Sequence, residues 1–203
     1  SDTLLLVGNG YDIDHSIFIK NLKTGQIDFF PPFNKSVVYC IAPTTNTSQF
    51  WVGYENGFGL IDLNQKDTLH FKKYNEFADL KSLRVKFIYQ NRRGNWLATS
   101  KGIFLLDESD GVLAHFNQAK GDLPFDDINH IYEDQNGTFW LSTNGAGIIK
   151  WQLDSIEQSS LFQQYDVSSN LSSNIVYSIY EDNKNRLWLS SNHGIMCLDK
   201  SSQ

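Results

Sequence analysis

Short apolar runs separated by Asn-, Asp- and Gly-rich stretches fill this chain, and their order repeats. The stretch Ile131–Trp151 reads IYEDQNGTFWLSTNGAGIIKW. It returns as IYEDNKNRLWLSSNHGIMCL from Ile179 to Leu198, and more weakly as IYQNRRGNWLATSKGIFLL from Ile88 to Leu106. Each copy holds a short apolar strand, a polar turn, a Trp-centred strand, a small-residue loop and a further apolar strand. Trp51, Trp96, Trp140 and Trp188 stand 45, 44 and 48 residues apart, and one more step back reaches Leu6 in LLLVGNG. The register therefore covers five units, and nothing along it has the 3.6-residue period of a long helix.

Two residues past each anchor stands a small side chain: Gly8, Gly53, Ala98, Ser142 and Ser190. Smallness at that place predicts sheets pressed close together. A glycine follows within a few residues (Gly10, Gly59, Gly102, Gly147 and Gly194) and is expected to form a tight turn at positive φ. Ahead of each Trp runs a strand with apolar residues three apart: Val38 and Ile41, Val85 and Ile88, Ile128 and Ile131, Val176 and Ile179. In the last three units the turn to the Trp strand is QNRRGN, EDQNGT or EDNKNR, rich in residues that tolerate left-handed backbone. A fourth strand is visible as IDFF (27–30), LHFKKY (69–74), LAHF (113–116) and LFQQY (161–165). Loops at 31–36, 75–82, 117–127 and 166–174 read as crossings between units.

Four short antiparallel strands per repeat of about 45 residues is the signature of a blade. The predicted fold is all-β: a β-propeller of four-stranded antiparallel blades in five units, roughly 1–36, 37–83, 84–126, 127–174 and 175–203, forming one domain. The first unit lacks an inner strand and the last an outer one, so the chain is expected to be an arc of a larger ring, seven-bladed. A self-closed five-bladed ring is the alternative. An arc leaves two blade faces open, and exposed apolar faces invite association.

Composition narrows the function classes. A formal net charge of −6 argues against nucleic acid, which requires clustered Lys and Arg. No apolar stretch approaches the roughly 18 residues of a membrane helix, and SDTLLLVG lacks the layout of a signal peptide, so any export leader is expected outside this segment. Aromatic residues at 14% suit half-buried strand surfaces. Cys40 and Cys197 lie far apart inside apolar runs and read as two buried thiols.

The repeat from Tyr132 to Trp151, with Asp134, Trp140 and Gly147, and its copy with Asp182, Trp188 and Gly194, resembles the propeller repeat of hybrid two-component sensor histidine kinases. The LPFDDI and LSSNIV crossings resemble that family's entry into the inner strand. The second unit departs from it with APTTNTSQFW, and the first has no Trp. The resemblance implies a periplasmic sensor segment of Bacteroidetes type that contributes to detecting oligosaccharides. It also implies further propeller blades and a downstream immunoglobulin-like domain as partners, a homodimeric receptor, and no cofactor.

The candidate chemistry is sparse. His70 and His115 stand one repeat apart, which places them on different blades and not at one metal. His130 reads as a core or channel-lining histidine. Glu133-Asp134 and Glu181-Asp182 fall in the same turn of the repeat and read as turn residues, although paired carboxylates also serve glycoside hydrolysis. A ligand would meet the turns after the Trp strands and the crossings, which vary while the strands do not. The candidates there are Tyr11, with Asp12 and His15; Tyr54, with Glu55 and Asn56; Lys101; Asn144; and Asn192 with His193. Trp51, Trp96, Trp140, Trp188, Gly102, Gly147 and Gly194 read as structural anchors. A protein-interaction scaffold, and a propeller lyase or hydrolase, are the alternative functions.

Overall fold

The computed structural model describes residues 4–8, 17–29, 36–64, 72–73, 83–107, 111–153 and 161–200. They form five antiparallel sheets, each a simple meander. The first is β1 (Leu4–Gly8), β2 (Ile17–Asn21) and β3 (Ile27–Phe29), in that order. The second is β4 (Val38–Pro43), β5 (Gln49–Tyr54), β6 (Gly57–Asp62) and β7 (Lys72–Lys73). The third runs β8 (Val85–Asn91), β9 (Gly94–Thr99), β10 (Gly102–Leu106), β11 (Val112–Phe116). The fourth runs β12 (Ile128–Glu133), β13 (Phe139–Thr143), β14 (Ile148–Gln152), β15 (Leu161–Tyr165). The fifth runs β16 (Val176–Glu181), β17 (Arg186–Ser191), β18 (Gly194–Asp199). One turn of 3₁₀ helix, Val167–Ser169, follows β15. Two compact units divide the chain at the Ile88–Tyr89 bond, within β8.

The apolar pairs three residues apart have a specific cause. In a regular strand, positions i and i+3 face opposite sides. Here β4, β12 and β16 each carry a register shift, between Val38 and Cys40, Ile128 and His130, and Val176 and Ser178. The extra residue re-aims the strand, as a β-bulge does. Ile128 with Ile131, and Val176 with Ile179, then both reach the core.

Within residues 1–88, Ile17, Val38, Val52, Tyr54 and Ile61 form a buried cluster, with Leu6, Ile41 and Leu63 against it. Within residues 89–203, Trp140, Ile148, Tyr165 and Leu171 close one side of a second cluster, which Val176, Ile179, Leu187, Leu189 and Leu198 of the fifth sheet complete. Each fully buried Leu, Ile or Val side chain contributes roughly 1.5–3 kcal/mol, so this face-to-face packing is what holds successive sheets together. The small residues after the anchors sit at such approaches. A Cβ on Gly53 would lie 2.5 Å from the Val85 carbonyl oxygen, and Ser142 Oγ donates to the Tyr177 carbonyl.

The turns after the Trp strands are stapled alike. Thr99, Thr143 and Ser191 hydroxyls donate to the carbonyls of Gly102, Gly147 and Gly194. Those three glycines have φ of 96°, 75° and 100°. In the second unit the expectation of Gly59 was displaced by two residues. Gly57, at φ 131°, closes the turn by pairing with Tyr54, while Gly59 pairs with Val52 inside β6. The sequence Gly-Phe-Gly offers two glycines, and only the first meets the two-residue hairpin.

Gly147 carries a testable consequence. An added Cβ would stand 2.0 Å from the Tyr165 carbonyl oxygen, whereas at Gly121, with φ 79°, it would meet nothing within 4 Å. Gly121→Ala is expected to cost only the left-handed backbone term, about 1–2 kcal/mol. Gly147→Ala must add the carbonyl clash and exceed it. Urea denaturation of the two variants side by side measures the difference, and equal losses would contradict the close approach.

Candidate functional site

The third to fifth sheets, within residues 89–203, present two kinds of ends. Turns from the inner strand to the Trp strand lie at one end. Turns after the Trp strand and the crossings lie at the other, as an antiparallel meander requires.

At the first end the acidic turns are organised around the tryptophans. Asp134 Oδ1 accepts from the Asn136 and Thr138 amides, and its Oδ2 accepts from the Trp140 indole at 3.1 Å. Asp182 repeats this with the Lys184 and Arg186 amides and the Trp188 indole at 2.8 Å, and its Oδ2 also receives Arg186 Nε at 2.8 Å. In the third unit Asn91 Oδ1 takes the Arg93 amide and the Trp96 indole. One side chain thus closes a turn and fixes the ring that begins the next packing layer.

The neighbouring glutamates link sheets. Tyr89 Oη donates to Glu133 at 3.0 Å, with Asn91 Nδ2 on the same oxygen at 2.8 Å. One unit on, Tyr132 Oη donates to Glu181 at 2.8 Å. The tyrosine of one inner strand therefore binds the glutamate that follows the next inner-strand tyrosine. Lys200 adds a clasp, its ammonium lying 2.6 Å from Glu181 and 3.1 Å from Asp134. Between these turns lies a cleft of about 350 Å³ lined by Gln135, Asn136, Glu181, Asn185 and Lys200.

The electrostatics of this end favour fixed charges. Burial alone would raise the Asp134 carboxyl, but the Trp140 indole, Lys200 and the Thr138 and Asn136 amides outweigh it and hold it below the usual carboxylate range. Burial works against the Lys200 ammonium, and Glu181 and Asp134 reverse that and raise it. Asp182 is held well down by Arg186 first and then by the Trp188 indole. None of these three groups is poised to exchange a proton near neutral pH.

The sequence-predicted ligand residues fall elsewhere. Tyr11, Asp12 and His15 lie outside the described residues, as does His70. Tyr54 is buried in the cluster within residues 1–88 and offers no ring face to a ligand. Asn56 is exposed in the turn beside Glu55, which accepts from the Tyr39 hydroxyl and the Arg84 guanidinium. Lys101 is exposed, with its carbonyl 2.7 Å from His115 Nε2, and the His115 ring stacks on Phe104 at 3.8 Å. Asn144 donates to Asp127 Oδ2, and its amide to the Asp127 carbonyl. Asn192 Oδ1 accepts from Ser173 and lies 3.1 Å from His193 Nδ1. Asn192 and His193 share one turn and Tyr54, Glu55 and Asn56 another, and the Asn144 and Asn192 side chains already fasten a crossing to a turn.

Trp51, Trp96 and Trp140 are buried, but Trp188 is part exposed. The cleft residues Gln135, Asn136, Asn185 and Lys200 escaped the sequence reading. The signal for Lys200 was a lysine standing where the preceding repeat has Leu153. No group of three His, Cys, Asp or Glu among the described residues is arranged to hold a metal.

Burial pushes the His130 imidazole down to about 4. The folded state keeps it neutral, while the unfolded chain takes a proton below about pH 6.5. The contribution is intact above that value and is lost as pH falls towards 4, by about 3 kcal/mol at most. Denaturant titrations at pH 7 and 4.5 are expected to show this loss, and His130→Gln should reduce the difference between them.

The two-component regulator propeller model matches residues 122–145 and 170–193. Each segment runs from a crossing through the inner strand and acidic turn to the turn after the Trp. No curated protein matches the chain. Among solved structures, the extracellular domain assigned to the hybrid two component system BT3049 of B. thetaiotaomicron aligns with a TM-score of 0.74 at 22% identity, over 100% of this chain and 28% of that one. The extracellular domain assigned to the one component system BT4673 of the same organism gives 0.71 at 19%, over 96% and 26%. The Cps50 (Swd1) β-propeller domain of Myceliophteria thermophila gives 0.66 at 12%, over 98% and 67%. The likeness is one of fold, and the five sheets are blades of a partial β-propeller. The chain spans about a quarter of the length of the two B. thetaiotaomicron structures.

Proposed function

We propose that this chain, which carries two-component regulator propeller repeats in its fourth and fifth sheets, is a non-catalytic sensor segment of a hybrid two-component histidine kinase. It lies in the periplasm, contributes to oligosaccharide detection and passes the signal on. The observation that carries the reading is the repeat match at 122–145 and 170–193 on a chain whose fold is shared with extracellular domains of that description. The fixed charges at the acidic turns speak against acid–base chemistry there, since Asp134 stays ionised and Lys200 stays protonated around neutrality.

Recognition belongs to the end that carries Lys101, Asn144, Asn192 and His193, where amides, an ammonium and an imidazole meet solvent. The opposite end is locked by tyrosine–glutamate bonds and the lysine clasp. A ligand bound at the open end therefore acts on sheets that move together, and it shifts the receptor only through its different affinity for two signalling states. A downstream immunoglobulin-like domain and a homodimeric receptor complete the path.

A second reading, a protein-interaction scaffold, has one observation in its favour. The outer strands β11 and β15 expose Val112 and Leu113, and Leu161 and Phe162. Calorimetric titration of the complete extracytoplasmic region with a panel of oligosaccharides separates the two. The sensor reading expects one glycan class to bind with Kd of about 1 mM or tighter, and Asn144→Ala with Asn192→Ala to weaken it. Self-association without any glycan binding would favour the scaffold, and turnover of a polysaccharide would overturn both.

A further inference from the structure

The free face of the fifth sheet repeats, position for position, a face that is covered in the fourth. In β13 and β14, Trp140 is 2% exposed and Ile148 0%, because the fifth sheet packs on them. Their counterparts in β17 and β18 are Trp188, 37% exposed, and Ile195, 76% exposed. Tyr180 pairs with Trp188 across β16 and β17, which puts both on one side, and it is 68% exposed. Its counterpart Tyr132 is packed against the cluster and bound to Glu181. Trp188 also pairs with Cys197, whose thiol is exposed on that same side.

We propose that this face is the seat of one more blade of the same repeat type, and that the occupant supplies a carboxylate which accepts from the Tyr180 hydroxyl. Such a blade would continue an interface that the protein already builds twice. Tyr89 reaches Glu133 and Tyr132 reaches Glu181, so Tyr180 stands as the third donor of one series. The occupant is not a second copy of this chain. The residue after the inner-strand tyrosine position is Pro43 in the second unit, Gln90 in the third, Glu133 in the fourth and Glu181 in the fifth. Only the last two are carboxylates. Glu133 is engaged by Tyr89 and Asn91, and Glu181 by Tyr132 and Lys200. The matching glutamate belongs to a blade outside these 203 residues, and the chain covers only 28% of the BT3049 structure it resembles. This packing does not depend on what the protein senses.

Cys197 reports on the face directly, and Cys40 is the internal control, since burial pushes its thiol up to about 12 and keeps the thiolate scarce. The test labels the 203-residue chain and the longer protein with N-ethylmaleimide and reads each cysteine peptide by mass spectrometry. In the short chain Cys197 should react and Cys40 should not. In the longer protein Cys197 labelling should slow about tenfold or more, because reaction then waits for the interface to open. Tyr180→Phe in the longer protein should restore much of the rate, about tenfold for a hydrogen bond to a charged group, while Tyr177→Phe at the bulge should not. Equal Cys197 rates in the two proteins would overturn the proposal. Protection in the short chain with self-association would make the face a contact between copies and overturn it too. Protection indifferent to Tyr180→Phe would remove the carboxylate.

Discussion

Trp96→Ala is expected to lower stability by about 3–5 kcal/mol, the range for removing a fully buried large aromatic. The ring lies 4.8 Å from Phe139, 6.0 Å from Phe116 in a stacked pair, and 6.1 Å from Trp151 edge-on. Phe139 and Trp151 belong to the fourth sheet, so the cavity would open at the seam between the third and fourth sheets. The indole N–H also donates to Asn91 Oδ1 at 2.9 Å, and its loss frees the residue that closes the turn. Trp96→Phe keeps most of the contact area and loses only the hydrogen bond, so its cost should be nearer 1–2 kcal/mol. Urea denaturation followed by far-ultraviolet circular dichroism measures both. A loss for Trp96→Ala below about 1 kcal/mol would mean the aromatic cluster does not carry this seam.

Asp134→Ala ranks next, at about 3 kcal/mol, the usual cost of breaking a buried charged pair from one side. The carboxylate serves the Trp140 indole, two turn amides and the Lys200 ammonium, so alanine leaves four donors without their acceptor. Asp134→Asn keeps an oxygen for the turn amides but loses the charge opposite Lys200, and should cost less. The pH dependence separates the terms. Asp134 is held below its ordinary value, so its contribution is complete above about pH 3.9 and fades as pH falls through the lowered folded value. The gap between wild type and Asp134→Ala should be constant from pH 5 to 7 and shrink in strong acid. A gap that instead grew on acidification would reverse the assigned sign.

The acidic pairs illustrate how far local reading reaches. Their place in a turn is legible from the Asn and Gly around them. The split between the two members is not. Asp182 acts within six residues, on amides and an indole of its own hairpin, and Asp134 does the same while also taking Lys200 from the fifth sheet. Glu133 and Glu181 act across 44 and 49 residues, on the preceding sheet. Nothing in the local pattern distinguishes the two roles, because both residue types suit an exposed turn. Tyr54 misled for a related reason. A tyrosine at the tip of a strand reads as rim, and only the close-packed first core shows its ring turned inward.

Strand order, turn positions and the Trp register follow from the chain itself, since each depends on chemistry confined to a few residues: alternation of faces, left-handed backbone at glycine, and side-chain closure of a turn. The exceptions are equally physical. The i, i+3 apolar pairs are visible as letters, but the bulge that lets both face inward arises from pairing with the next strand. The Lys200 clasp joins residues 66 positions apart, and it exists only because the fifth sheet packs on the fourth. The exposure of Trp188, beside three buried counterparts, is likewise a property of what packs on the sheet and not of the residue. Periodicity dictated the blades; the contacts between blades, which fix charges, orient rings and leave one face open, were decided by packing at long range.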